Sequence, residues 1–313
     1  MKILTVIVLL TLAVGCAAPQ EQSTILVDSG PIDIKPEENI YIKVDFKENV
    51  NFQGQYSYDD VGIDGGDILY PAPTAEVFIA SIIVHAITAN SMNNEEKTVV
   101  QKKADQVLKE YEGYLDNYEQ EELIESVLAS INQKYAFGLV KSNTAPIDQG
   151  FVLNSQPVFF VSQDQRSIVL KHLMSLSRSH ELKSVVYKNI VEVSSKRIES
   201  DDLPSYWLAN DNLPILAGQL YAESLELFLD DVLDKFENNL NKEKTFRFQQ
   251  NGKTHYERGT LVKHHCGQTT IRTLRGWLKS IPSEYIKGKR EEASCEKASV
   301  VDKGVVSGIG LPK

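Results

Sequence analysis

The chain has 313 residues, 42% hydrophobic and 24% charged, with a formal net charge of −10 and a mean hydropathy of −0.25. That composition supports a core of ordinary size that does not need disulfides to form. The acidic balance argues against nucleic acid, whose phosphates call for a basic face, and against electrostatic adhesion to anionic lipid.

Lys2 precedes an apolar run from Ile3 to Val14, and Ala13 and Gly15 are small, which is the plan of a secretory signal. The run is too short to cross roughly 30 Å of hydrocarbon, which needs about 20 residues. A plain cleaved signal has no use for Cys16. Leu12-Ala13-Val14-Gly15-Cys16 resembles the lipobox of bacterial lipoproteins, with Ala13 where a larger aliphatic residue is usual. The resemblance covers only the first twenty residues. It implies that residues 1–15 are removed and that the Cys16 thiol carries a diacylglyceryl group. The membrane is then a partner through lipid, and residues 16–23 are a lipidated tether. One acyl chain binds a bilayer only marginally, so two or three make the anchor permanent. In a Gram-negative source, Ala17 in place of Asp implies the outer membrane, with the body facing the periplasm; the sequence does not state the Gram type.

Beyond the tether, Thr24 to Val27, Asn39 to Phe46 and Asn51 to Tyr58 read as short strands. Ala75 to Ala89 reads as a buried apolar helix capped by Thr74, with His85 as a satisfied core histidine. Two amphipathic helices follow, Glu95 to Asn117 and Gln120 to Lys134, and the short link between them predicts an antiparallel pair. After Pro146 the pattern turns to an antiparallel meander, 151–162, 167–176 and 182–198, with turns near 164–165 and 178–181. Residues 215–240 predict one long helix whose inner stripe is Leu216, Leu220, Leu225, Leu229, Val232, Phe236 and Leu240. Asn251-Gly252 between alternating runs marks a hairpin, and TTIRTLRGWLKSIP continues as strand. The expected class is α+β: antiparallel strands with an N-terminal helical group and one long later helix. The globular body spans 24–286, with a division near 145 left open, and 287–313 is a flexible tail.

With Cys16 given to lipid, Cys266 and Cys295 remain as an even pair in an oxidising compartment. A disulfide between them is expected, stabilising by roughly 3–4 kcal/mol. The competing reading makes one a thiolate nucleophile or metal ligand, beside His264 and His265. His264 and Cys266 would share one face of a strand, and a third ligand such as His255 would have to reach across the hairpin. HELKS at 180–184 has Ser184 where a zinc protease needs its second histidine. Ser294 to Lys297 forms an SxxK in a charged tail without the partner motifs of serine–lysine acyl enzymes. Asp59, Asp60, Asp64 and Asp67 lie in a turn-rich loop whose spacing departs from calcium loops. No metal site and no cofactor is therefore expected.

Trp277, Arg275 and Arg272 form a basic, aromatic patch in an acidic chain, and alternation would put Arg275 and Trp277 on one face for a glycan or protein partner. Trp207 is the other tryptophan. The reading against a patch has Trp277 packing the core while the arginines face water. With no catalytic constellation in sight, a binding or scaffolding role in the envelope is expected ahead of an enzyme. The alternative is an envelope hydrolase whose catalytic residues come from distant positions.

Overall fold

The computed structural model describes residues 32–43, 48–55, 101–142, 150–182, 184–236, 242–250, 253–265 and 267–287. Ten strands form one mixed sheet: β1 (Asn39–Lys43), β2 (Asn51–Gly54), β3 (Gly138–Ser142), β4 (Phe151–Val161), β5 (Ile168–Arg178), β6 (Val185–Ser194), β7 (Lys244–Gln250), β8 (Lys253–His265), β9 (Gln268–Thr273) and β10 (Leu278–Pro282). Their order is β3-β1-β4-β5-β6-β10-β9-β8-β7, with β2 pairing the later part of β4. The helices described are α1 (Glu112–Leu115), α2 (Gln120–Asn132), α3 (Leu203–Leu208) and α4 (Asn212–Val232).

The meander forms as its alternation predicts, with β4, β5 and β6 antiparallel over long registers. Odd residues of β4 (Phe151, Leu153, Phe159, Val161) and even residues of β5 (Ile168, Leu170, Met174, Leu176) face the helices in one core. That core draws on residues from Ile34 to Leu278, on both sides of residue 145. Helix α4 has 21 residues, about 32 Å at 1.5 Å per residue, and lies across β5, β6 and α2. Gly218 lets the two helices approach: a Cβ there would stand 3.0 Å from Ser126 Oγ and 3.7 Å from a Val127 methyl.

The wholly antiparallel sheet expected from sequence is corrected, because β1–β3, β1–β4, β2–β4 and β6–β10 are parallel pairs. Short edge strands carry no alternation long enough to tell direction, and partners arrive from distant segments. The stretch 101–115 is not one helix, since 105–108 is a 3₁₀ turn and only 112–115 resumes. Helix α2 matches its reading, but it packs on α4 rather than forming a pair with the preceding segment. The Asn251-Gly252 hairpin is present as β7 and β8, paired from Lys244↔Gly259 to Gln250↔Lys253. TTIRTLRGWLKSIP is two strands rather than one, with a turn at 274–277 between β9 and β10. Strand 24–27, helix 75–89 and the tail from 288 lie outside the described residues, as do Cys16, Cys266 and Cys295.

The joint between β6 and β10 is short, three residue pairs from Leu278↔Val191 to Ser280↔Val193. Acidic side chains of α4 span it. Asp231, with a side chain 6% exposed, accepts from Tyr187 and Asn189 on β6 and pairs with Arg272 on β9. Asp230 meets Lys263 of β8 at 3.1 Å and the Tyr135 hydroxyl at 3.0 Å. Glu223 accepts from Ser280 of β10 at 2.5 Å, and burial pushes its carboxyl above the ordinary range. Removing one partner of such a buried pair costs about 3–5 kcal/mol, against about 0–1 kcal/mol for a surface pair. Asp231→Ala is therefore expected to lose about 3–5 kcal/mol in urea unfolding. Lys141→Ala, which breaks the surface pairs to Glu121 and Glu125, should move the urea midpoint far less. Equal losses would refute the stapling role.

Candidate functional site

A broad concavity follows from one proline. Gln55 N–H donates to Val161 C=O, while Ser179 and Ser162 bond Gly150 and Ser167 on the opposite side. Odd-numbered backbone groups of β4 therefore face the β1/β2 side. Pro157 belongs to that set and has no N–H to offer. The ladder accordingly stops and restarts around it: β1 pairs residues 151–154 and β2 pairs 158–161. At this break lies a cleft of about 860 Å³ whose wall includes Asn154, Ser155, Gln156 and Pro157. Opposite stand Lys43, Glu48, Asn49, Asn51, Asp105, Glu112, Asp116 and Gln120, with Val50, Phe52, Leu108 and Leu115 as apolar surface.

Behind the cleft wall runs a closed hydrogen-bond chain. Ser155 Oγ lies 2.8 Å from His172 Nε2 and 2.8 Å from the Tyr221 hydroxyl. His172 Nδ1 lies 2.7 Å from Ser224 Oγ, and Ser224 donates to the Tyr221 carbonyl at 2.7 Å. Each hydroxyl has one proton, so the directions follow. Ser224 spends its proton on the carbonyl and must accept from Nδ1–H. Nε2 is then the acceptor for the Ser155 proton, and Tyr221 donates to Ser155. His172, Tyr221 and Ser224 are fully buried. Burial pushes the His172 imidazole down to about 3 and raises the Tyr221 phenol above its ordinary value. The imidazole is neutral across the physiological range.

Ser155, His172, Tyr221 and Ser224 were not singled out in the sequence. Ser155 and His172 come from two strands, Tyr221 and Ser224 from a helix, and no short motif joins them. The one signal available was a polar residue at inward positions of apolar strands, His172 within IVLKHLMSL and Ser155 within FVLNSQPVFF.

The residues that were singled out are scattered. Trp207 is buried, and its indole donates to the Gln165 carbonyl at 2.7 Å. Trp277 is half-buried in the 274–277 turn, with the exposed Arg275 guanidinium 5.4 Å from its ring centre. Arg272 is not part of that surface, because it is committed to Asp231 and lies 6.0 Å from the Phe236 ring. His180 and Ser184 are exposed in a turn. His264 Nδ1 is 2.9 Å from Thr269 Oγ1, and His255 stacks on Phe248 at 5.7 Å. Among the described residues no three His, Cys, Asp or Glu side chains gather for a metal ion, and no helix is long and apolar enough to cross a membrane. His85, Asp59, Asp60, Asp64, Asp67 and the Ser294 to Lys297 motif lie outside the described residues.

A histidine held near 3 when folded and near 6.5 when unfolded binds fewer protons in the native state between those values. Its contribution to stability is full above about pH 6.5 and is lost as pH falls toward 3. Between pH 7 and pH 5 the loss from this one group is about 2 kcal/mol. The urea midpoint of His172→Gln should therefore depend less on pH in that window than the parent's, and identical pH slopes would refute the neutral histidine.

No family model, curated protein or solved structure matches the chain.

Proposed function

We propose that this chain is a lipid-anchored cell-envelope protein whose body binds a partner in the cleft beside Pro157. The anchor reading rests on Leu12 to Cys16 and the short apolar run before them. The observation that carries the binding reading is the cleft itself, about 860 Å³ against the roughly 300–1,000 Å³ of ligand sites. Its wall is built for recognition. Carboxylates and amides stand over apolar surface, and Ser155 is held from behind by a chain in which every proton has an acceptor. The Cys266–Cys295 disulfide and a helical group built on Ala75 to Ala89 belong to the same reading on sequence grounds.

Two positions test it. Cys16→Ser should abolish lipid labelling and release the protein from membranes, and lipid-dependent anchoring that persists would end the lipoprotein reading. In cells, photo-crosslinkers at exposed Glu48 and Glu112 should capture a specific partner that a crosslinker at exposed Arg258 does not. Equal capture at all three positions would remove the cleft from the proposal.

A serine hydrolase is the second reading, favoured by Ser155, in the wall of the cleft, with its Oγ 2.8 Å from an oriented Nε2. A fluorophosphonate probe decides between the two. Labelling of Ser155 that His172→Gln abolishes would establish the hydrolase. An unlabelled protein whose partner is still captured would establish the binder.

A further inference from the structure

A second cavity, of about 370 Å³, lies on the far side of the sheet's short joint, where the meander meets the β7–β10 half. Its floor is apolar, from Val169 and Ile281, both buried. Ser194 at the end of β6 and Ser195 just after it, Gln249 and Gln250 from the end of β7, and Asp164, Ser167, Arg197 and Tyr285 complete the lining.

The polar groups are held in place yet only partly used. Asp164 accepts from Ser162, from the Arg166 N–H and from Arg197 at 2.6 Å. Burial opposes its ionisation, but those donors outweigh burial and hold the carboxyl below its ordinary value. The Arg197 backbone N–H donates to the Tyr285 hydroxyl at 2.6 Å, which fixes that ring at the cavity edge. Gln249 and Gln250 both spend an amide N–H inward, on Thr254 at 2.8 Å and on Ser194 at 3.3 Å, leaving their carbonyl oxygens as acceptors. Ser194, only 4% exposed, accepts from Gln250, and its own proton has no acceptor among the described residues.

The ligand these features fit can be read from their chemistry. Asp164 and Arg197 cancel in charge, so the cavity does not select for an ion. Amide oxygens, a carboxylate, a guanidinium and a spare hydroxyl proton alternate acceptors with donors, as neighbouring hydroxyl groups require. A floor of Val169 and Ile281 with one tyrosine suits the C–H face of a ring that is polar only around its rim. The volume lies at the low end of the range for small-molecule sites. We propose that this cavity binds one or two neutral sugar rings through Gln249, Gln250 and Ser194. The site is separate from the cleft beside Pro157, and its failure would leave the cleft reading standing.

Saturation-transfer NMR on the purified full-length protein in detergent tests this, with N-acetylglucosamine, glucose and their dimers as probes and glucuronate and inorganic phosphate as anionic controls. Ring protons of a neutral sugar should receive saturation from the protein. The double substitution Gln249→Ala and Gln250→Ala, and separately Ser194→Ala, should weaken binding about tenfold, the loss expected for one or two hydrogen bonds, while thermal melting stays close to that of the parent. No transfer to any neutral probe overturns the proposal. So does transfer that survives both variants unchanged, or preferential binding of the anionic controls.

Discussion

The fold depends on how α4 is held to a sheet that is nearly two sheets. The meander β4–β6 and the group β7–β10 share a ladder of only three parallel residue pairs among the described residues. Ladder bonds alone would make that joint the weakest line in the molecule. Apolar packing secures α4 to the meander, through Leu225, Phe228, Leu229 and Val232. Its carboxylates then reach over the joint. Asp231 is the most exposed to failure, because one buried charge serves Tyr187, Asn189 and Arg272 together. Hydrogen bonds to a charged group are worth about 1.5–3 kcal/mol, and an unpaired charge left in that place costs more than any one of them contributes.

Both cavities are consequences of interruptions in the same sheet. The larger opens where Pro157 withholds an N–H and β1 and β2 divide the edge of β4 between them. The smaller opens where the two halves of the sheet part beyond the three-pair joint. In each case the backbone discontinuity is compensated by side chains: the Tyr221–Ser155–His172–Ser224 chain behind one, and Asp164, Arg197 and Tyr285 around the other. A polar network in a core is tolerable only when complete, since each unmet group costs about 1–3 kcal/mol. The first network is complete, which suits a rigid wall. The second leaves amide oxygens and one hydroxyl proton unused among the described residues, which suits a site.

Long, periodic elements were legible in the sequence. The meander, α2, the stripe of α4 from Leu216 to Val232 and the two-residue hairpin all declare themselves by spacing, because burial of one face fixes the period. The reading of that helix to 240 overran it, since α4 ends at Val232, Phe236 lies beyond its end and Leu240 lies outside the described residues. What stayed hidden was non-local. The parallel pairings of β1 with β3 and β4, and of β2 with β4, join residues from 99 positions apart (Asn39↔Gly138) to 111 apart (Ile40↔Phe151), and four- or five-residue strands carry too little pattern to name such partners. The turn at 274–277 was missed because Leu274, Trp277 and Leu278 look like continuing alternation, although Gly276, with a φ of +81°, allows the reversal. One arginine of the expected patch pairs elsewhere for a related reason: Arg272 finds Asp231, 41 positions earlier, and no local spacing reveals that partner.

The histidine behind the cleft wall decides how the two functional readings rank. A general base must accept a proton during the reaction, and His172, pushed down to about 3, lies about four units below neutral pH. Protonating it at pH 7 costs about 5 kcal/mol, against under about 1 kcal/mol for a histidine of ordinary pKa. Serine hydrolases offset this with a carboxylate that stabilises the imidazolium. Here the group on Nδ1 is Ser224, a neutral hydroxyl whose proton already points at a carbonyl. It orients the ring without supplying charge. Tyr221 donates to the same Ser155 oxygen that would have to attack, and so stabilises the resting hydroxyl. Geometry alone resembles an activated serine, but the charge balance is that of a wall meant to stay as it is. That charge balance favours the binding proposal for the cleft over the hydrolase.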